Sequence, residues 1–176
     1  MIELYYDSYS IAYFVVSQDM GSKSLMEFLN KLYDSEYEYL HPIYKGNKKK
    51  MISDVLYWAD YLVDKEKLDQ EFPKVERDLK GKGFAFVKED FMSDYPEFDL
   101  FFMLMRLRIR FITDKQYTRM KLRTMLKNYG YKRRSDSITA RLRDCMMFYH
   151  IQTYLKGEEC DIRKISLDDM ITFRLL

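Results

Sequence analysis

The chain has 176 residues, 47% of them apolar, with 16 Tyr and 12 Phe but only six Gly and three Pro. That length and composition allow one sizeable core or two small ones, and exclude disorder and long flexible linkers. The formal net charge of +2 hides a segregation: residues 106–144 hold thirteen Lys or Arg against three acids, a net +10, while residues 1–105 carry −7 and residues 145–176 carry −1.

In chain order, residues 2–16 are rich in Tyr, Ile and Val and predict one or two strands, with Asp7-Ser8 as a turn. Ser22 or Ser24 caps a helix with Leu25, Phe28, Leu29 and Leu32 on one face, and His41-Pro42 stops it. After a loop at Gly46 to Lys50, Met51, Val55, Trp58 and Leu62 form the buried stripe of a second helix. Pro73 fits the first turn of a short helix ended by Gly81 and Gly83, and Phe84–Val87 reads as a short strand. From Met103 to Phe111, apolar residues alternate with Arg106, Arg108 and Arg110, the period of a strand with one apolar and one basic face.

Thr113-Asp114 caps a predicted helix over 115–128, with Leu122, Met125, Leu126 and Tyr129 on its apolar side. Arg119, Arg123 and Lys127 then fall at i, i+4 and i+8 and form a basic stripe along it. Gly130 suits the left-handed position that ends a helix. Ser135 caps the next helix, whose Ile138, Leu142, Cys145 and Tyr149 share one face. Residues 150–155 and 160–165 read as a hairpin around Lys156-Gly157-Glu158-Glu159, and Ser166–Leu176 as a terminal strand or helical turn.

Helix, short turn, capped helix and hairpin over 113–165 resemble a winged helix-turn-helix, at the level of the superfamily. The resemblance implies that the helix after Ser135 enters a major groove and meets base edges with its first half. At about 100° per residue, the face opposite Ile138 and Leu142 presents Asp136, Thr139, Ala140, Arg143 and Met147. Arg143 is then the candidate for guanine and Thr139 for a thymine methyl. Lys132, Arg133 and Arg134 precede the helix and are assigned to phosphates. Arg106, Arg108 and Arg110 supply an additional basic face.

A basic run on a helix is commonly a solvated face balanced by acids at i±4. Here no acid occurs between Lys115 and Arg134, and the stripe repels itself by about 0.2–0.5 kcal/mol per pair, which favours an external counter-charge. The hairpin tip, with Glu158, Glu159 and Asp161, argues against a wing on phosphate.

Other chemistries find no support. Cys145, His150 and Cys160 match no zinc spacing, so no metal site is assigned, and both cysteines read as free thiols of a reducing cytoplasm. The acids between Asp54 and Asp78 alternate with lysines, as on a solvated helix. No Gly-rich phosphate loop exists, and no cofactor is expected. No run approaches the roughly 20 apolar residues of a membrane span, and Glu3 and Asp7 are unlike a signal peptide. Tyr37, Tyr39 and Tyr44 are either core or partner contacts.

The sequence thus reads as a cytoplasmic α+β protein in which an N-terminal mixed α/β interaction or dimerisation region (1–96) packs on a basic winged-helix-like region (97–176). The expected function is non-enzymatic binding of double-stranded DNA, as a regulator or an accessory factor of a mobile element or plasmid, with a homodimer reading paired half-sites. Two alternatives stand beside it: an inhibitor or adaptor whose basic face docks on an acidic protein or protein–nucleic-acid complex, and a small enzyme whose carboxylates converge only in the fold.

Overall fold

The computed structural model describes residues 4–71, 96–129 and 131–176, with side chains 64–71, 96 and 97 left aside. The chain divides into two compact units, Tyr5–Met92 and Ser93–Leu176 with Met1–Leu4. It is α+β: six α-helices and a four-stranded antiparallel sheet among the described residues. The expectations for Pro73, Gly81, Gly83, Phe84–Val87 and Gly130, and the acids from Asp64 to Asp78, lie outside the residues or side chains described.

In the first unit, helix α1 (Ser8–Ser17) replaces the strands expected over 2–16. Its start signal is Asp7, whose carboxylate accepts from the Ser10 backbone N–H at 2.7 Å, the hydrogen bond of a helix N-cap. Ile11, Ala12, Phe14 and Val15 are all buried, so α1 shows no polar stripe and its composition reads as strand. Helix α2 (Ser22–Ser35) buries Phe28, Leu29 and Leu32 as the spacing predicts. Two short 3₁₀ turns, Tyr37–Tyr39 and Pro42–Tyr44, lead to α3 (Lys48–Glu71), which packs against α1 and α2 through Met51, Val55 and Ala59. Tyr39 and Tyr44 belong to the core and Tyr37 is exposed. Buried Glu36 accepts from the Tyr6 hydroxyl at 3.0 Å.

The second unit opens with α4 (Pro96–Phe111), which covers the basic-faced strand expected from Met103 to Phe111. Phe98, Phe102, Met103, Met105, Arg106, Leu107 and Ile109 are buried, so the helix is enclosed on most of its circumference and carries no clear 3.6-residue period. Strand β1 (Tyr117–Lys121) and a short helix α5 (Leu122–Asn128) replace the expected helix over 115–128. Tyr117 and Thr118 suit a strand, and their partner lies far along the chain in β4. Helix α6 (Asp136–Phe148) begins at Ser135, as predicted, and buries Leu142 and Cys145, with Tyr149 at its C-cap.

Strand β2 (Ile151–Leu155) turns through Lys156 and Gly157, both at positive φ, into β3 (Glu158–Glu159). Two successive left-handed residues match the twist of a tight hairpin, and Gly157 takes its φ of +95° without steric cost. The hairpin partner β3 falls inside the turn expected at 156–159, and residues 160–165 form no strand. The longer partner of β2 is β4 (Met170–Leu175), giving the order β1-β4-β2-β3. Ile171 and Phe173 of β4 are fully buried, and the Phe173 ring lies 6.3 Å from that of Phe102 on α4.

Ser135 Oγ accepts from the Ile138 N–H at 3.2 Å. Ser135→Ala removes this cap and is expected to cost about 1 kcal/mol, within the usual range of roughly 0.5–2 kcal/mol. Chemical denaturation checks it, and an unchanged midpoint would mean that the bond contributes nothing in solution.

Candidate nucleic-acid interface

The connection from α5 to α6 is held at three points. Tyr129 and Tyr131 place their rings 5.3 and 5.5 Å from that of Phe98 on α4. Arg134 Nη1 donates to the backbone carbonyls of Ile162 at 2.6 Å and Ile165 at 2.7 Å. Ser135 caps α6, and Thr139 Oγ1 donates back to the Ser135 carbonyl at 2.8 Å. Between these anchors Lys132 and Arg133 are exposed. Tethered on both sides, they are two cations on a short segment at the start of a helix whose first turn is capped by Ser135 and carries the Asp136 carboxylate.

On α6, Asp136, Ala140, Arg143 and Met147 are exposed, as their phase predicts. Thr139 is not. It is 4% exposed and its hydroxyl is turned onto the helix backbone, so the assignment to a base edge is corrected: it closes the first turn. Arg134 is half-exposed, and its Nη1 is bound by two carbonyls of the segment after β3, which gives it a structural tie that Lys132 and Arg133 lack. Arg143, Lys127, Lys132 and Arg133 have no ion-pair partner among the described residues.

The stripe Arg119, Arg123 and Lys127 does not form, because Arg119 sits on β1 and the other two on α5. Arg123 makes a two-pronged pair with Asp168, Nε to Oδ1 and Nη2 to Oδ2 both at 2.7 Å, and its backbone N–H donates to the Leu167 carbonyl at 2.8 Å. The paired guanidinium holds the Asp168 carboxyl below its usual value, and Asp168 raises that of Arg123. The counter-charge that the neighbouring sequence lacks therefore comes from 45 residues downstream.

Of the additional basic face, Arg106 is only 7% exposed and donates to the Tyr149 carbonyl at 2.8 Å. It is an internal tie between α4 and the end of α6, so its assignment to a binding face is corrected. Arg108 and Arg110 are exposed in the last turn of α4, where cations complement the helix dipole. The Tyr149 hydroxyl donates to the Asp99 carboxylate, a second tie between the same elements.

The segment after β2 is less acidic in effect than its tip suggests. Glu158 and Glu159 are exposed, but Arg163 donates to Asp161 and holds its carboxyl at about 2. Residues 156–164 carry three cations and three acids. A cleft of about 570 Å³ between the C-terminal half of α6, β2 and this segment is lined by Arg143 and Gln152 together with Asp144, Glu159 and Asp161. Its mixed charge offers no cage for an anion.

Cys145 is fully buried, and burial pushes its thiol far up, out of reach of thiolate chemistry at neutral pH. Cys160 is half-buried and raised for the same first reason. No cluster of three or more His, Cys, Asp or Glu among the described residues could hold a metal. A thiol reagent under native conditions is expected to leave Cys145 unmodified until the protein is denatured; labelling of Cys145 at the rate of a free thiol would contradict its burial.

No described helix is long and apolar enough to cross a membrane. No protein-family model matches the chain, and no curated protein or solved structure does either.

Proposed function

We propose that the second unit is a winged-helix module that binds double-stranded DNA without catalysing a reaction. The observation that carries the reading is the pairing of element order with free charge. Helix α4, strand β1, helices α5 and α6, and strands β2 and β4 follow one another, with β1 joined to β4 and β4 to β2, an element order that supports a winged helix-turn-helix reading. Lys132 and Arg133 sit exposed at the entry of α6, and Arg143 on its outer side. In this reading Lys132 and Arg133 contact phosphates, α6 lies in the major groove, and Arg143 reaches a base edge.

A regulator or an accessory factor of a mobile element or plasmid is the role this module fits, in the cytoplasm, and two copies on paired half-sites would complete it. A protein contact has support of its own in the first unit. Tyr57 is 68% exposed and Tyr61 43%, and both rings lie within 5.7 Å of Trp58. Exposed Tyr beside Trp is the composition of interface anchors, and suits a homodimer or another protein.

A mobility shift on mixed-sequence duplex DNA across a salt series tests the DNA reading. Affinity is expected to fall about linearly on a log–log plot, with a slope of roughly −0.9 per phosphate contacted. Absence of any shift at low salt would remove duplex DNA and leave a protein ligand for the basic surface.

A further inference from the structure

The sheet has a second face, and it is built unlike the first. Strand alternation places Ile171 and Phe173 inward, with Phe173 against Phe102 of α4, and Tyr117, Arg119, Lys121, Thr172, Arg174 and Tyr154 outward. Register sets Arg174 opposite Tyr117, and Thr172 between Arg119 and Tyr154. On the middle strand, the Arg174 guanidinium lies 5.8 Å from the Tyr117 ring centre and 5.2 Å from that of Tyr154. Arg119 lies 5.0 Å from the Tyr117 ring and donates to the Thr172 hydroxyl at 3.2 Å. Two guanidinium groups and two tyrosine rings therefore lie side by side on this face, with Gln152 next to Arg174 and exposed Met170 next to Lys121.

The charge of this face is one-sided. Neither Arg119 nor Arg174 has an ion-pair partner among the described residues. Glu159 enters at the margin, opposite Tyr154, and Asp168, paired with Arg123, also lies within electrostatic reach of Lys121. A sheet face that merely meets water gains from cross-strand pairs of opposite charge. This one offers cations beside flat rings, the combination that holds an unpaired polynucleotide: bases stack on tyrosine and guanidinium planes while arginine and lysine meet the backbone phosphates.

We infer that the outward face of the β1-β4-β2 sheet binds single-stranded nucleic acid, by stacking bases on Tyr117 and Tyr154 and by pairing phosphates with Arg119, Lys121 and Arg174. The face is separate from α6 and its entry loop, so the inference does not rest on duplex binding. A protein with both surfaces can hold a duplex and an adjoining unpaired strand at once.

Fluorescence anisotropy of the full chain with a labelled oligothymidylate, an abasic phosphodiester oligomer of the same length, a mixed-sequence duplex and an acidic polyglutamate peptide tests it. The parent is expected to bind oligothymidylate more tightly than the abasic oligomer. Tyr117→Leu and Tyr154→Leu each should weaken that binding by roughly 5- to 100-fold, the range for removing one stacked ring, and leave duplex affinity unchanged. Arg119→Gln, at an exposed position, should weaken binding of both single-stranded oligomers alike and leave duplex affinity unchanged, and it keeps the test standing should either tyrosine variant fail to fold. Equal affinity for the abasic oligomer, parental binding in the folded variants, or preference for polyglutamate would each overturn the inference. Loss of duplex binding on changing Lys132 and Arg133 would leave it standing.

Discussion

Replacing Leu142 by Ala is expected to lower the unfolding free energy of the second unit by about 2–5 kcal/mol. Leu142 is fully buried on α6, in phase with Cys145 and with Tyr149 at the helix C-cap, both also fully buried. Around that end of α6, Arg106 and Asp99 tie α4 to Tyr149 by hydrogen bonds from opposite sides of the residue, its carbonyl and its hydroxyl. A site so tied cannot readily collapse onto a smaller side chain, so the loss should include the cavity as well as the transfer of the missing methyl groups. Met147→Ala is the internal comparison. Met147 is 59% exposed on the same helix, and its removal should change stability by no more than about 0.5 kcal/mol. Equal effects of the two substitutions in urea denaturation would mean that the helix phase is wrong.

The contrast between those two residues is legible in the sequence. Ser135, Ile138, Leu142 and Cys145 follow one cap and one 3.6-residue period, and α2 is legible for the same reason in Phe28, Leu29 and Leu32. Both helices bury a single face, so the sequence carries their phase. Helices α1 and α4 bury most of their surface and lose it. In α4 a buried arginine is the source of the error: Arg106 alternates with Arg108 and Arg110 as if all three faced solvent, yet its acceptor is a carbonyl 43 residues away. Strand β1 fails on the same ground, because its identity as a strand depends on β4, which follows some fifty residues later.

The candidate site was legible in part, and for a related reason. Net charge located the basic block, and the cap at Ser135 located the helix entry. What could not be read was which cations face outward. Arg123 is answered by Asp168 and Arg134 by two carbonyls, all from the segment between β3 and β4. The Tyr–Arg face of the sheet was missed entirely, since its three strands are distant in sequence and adjacent only after β4 inserts between β1 and β2. The pattern that could have shown it is the alternation of Tyr117, Arg119 and Lys121, obscured by assigning those residues to a helix.

Adjacent arginines with different tasks give the sharpest test of the duplex reading. Arg134→Ala removes two charged-donor hydrogen bonds and leaves the carbonyls of Ile162 and Ile165 without that partner. It is expected to cost about 1.5–3 kcal/mol of stability, the range for hydrogen bonds to a charged group, and to loosen the segment that precedes β4. Lys132→Ala with Arg133→Ala removes two exposed charges that hold nothing together, so stability should change by no more than about 0.5 kcal/mol. Its effect should fall on binding instead: weaker affinity for every duplex alike, and a salt slope shallower by about two units, one for each phosphate no longer neutralised. Arg143→Ala should spare both stability and non-specific binding while reducing preference for the true site by roughly 1–3 kcal/mol. Thermal melts and a salt series on the same three variants separate these outcomes. If the Lys132/Arg133 variant binds duplex DNA with the parent's salt slope, phosphates are not held at the entry of α6, and the basic surface answers to an acidic protein instead.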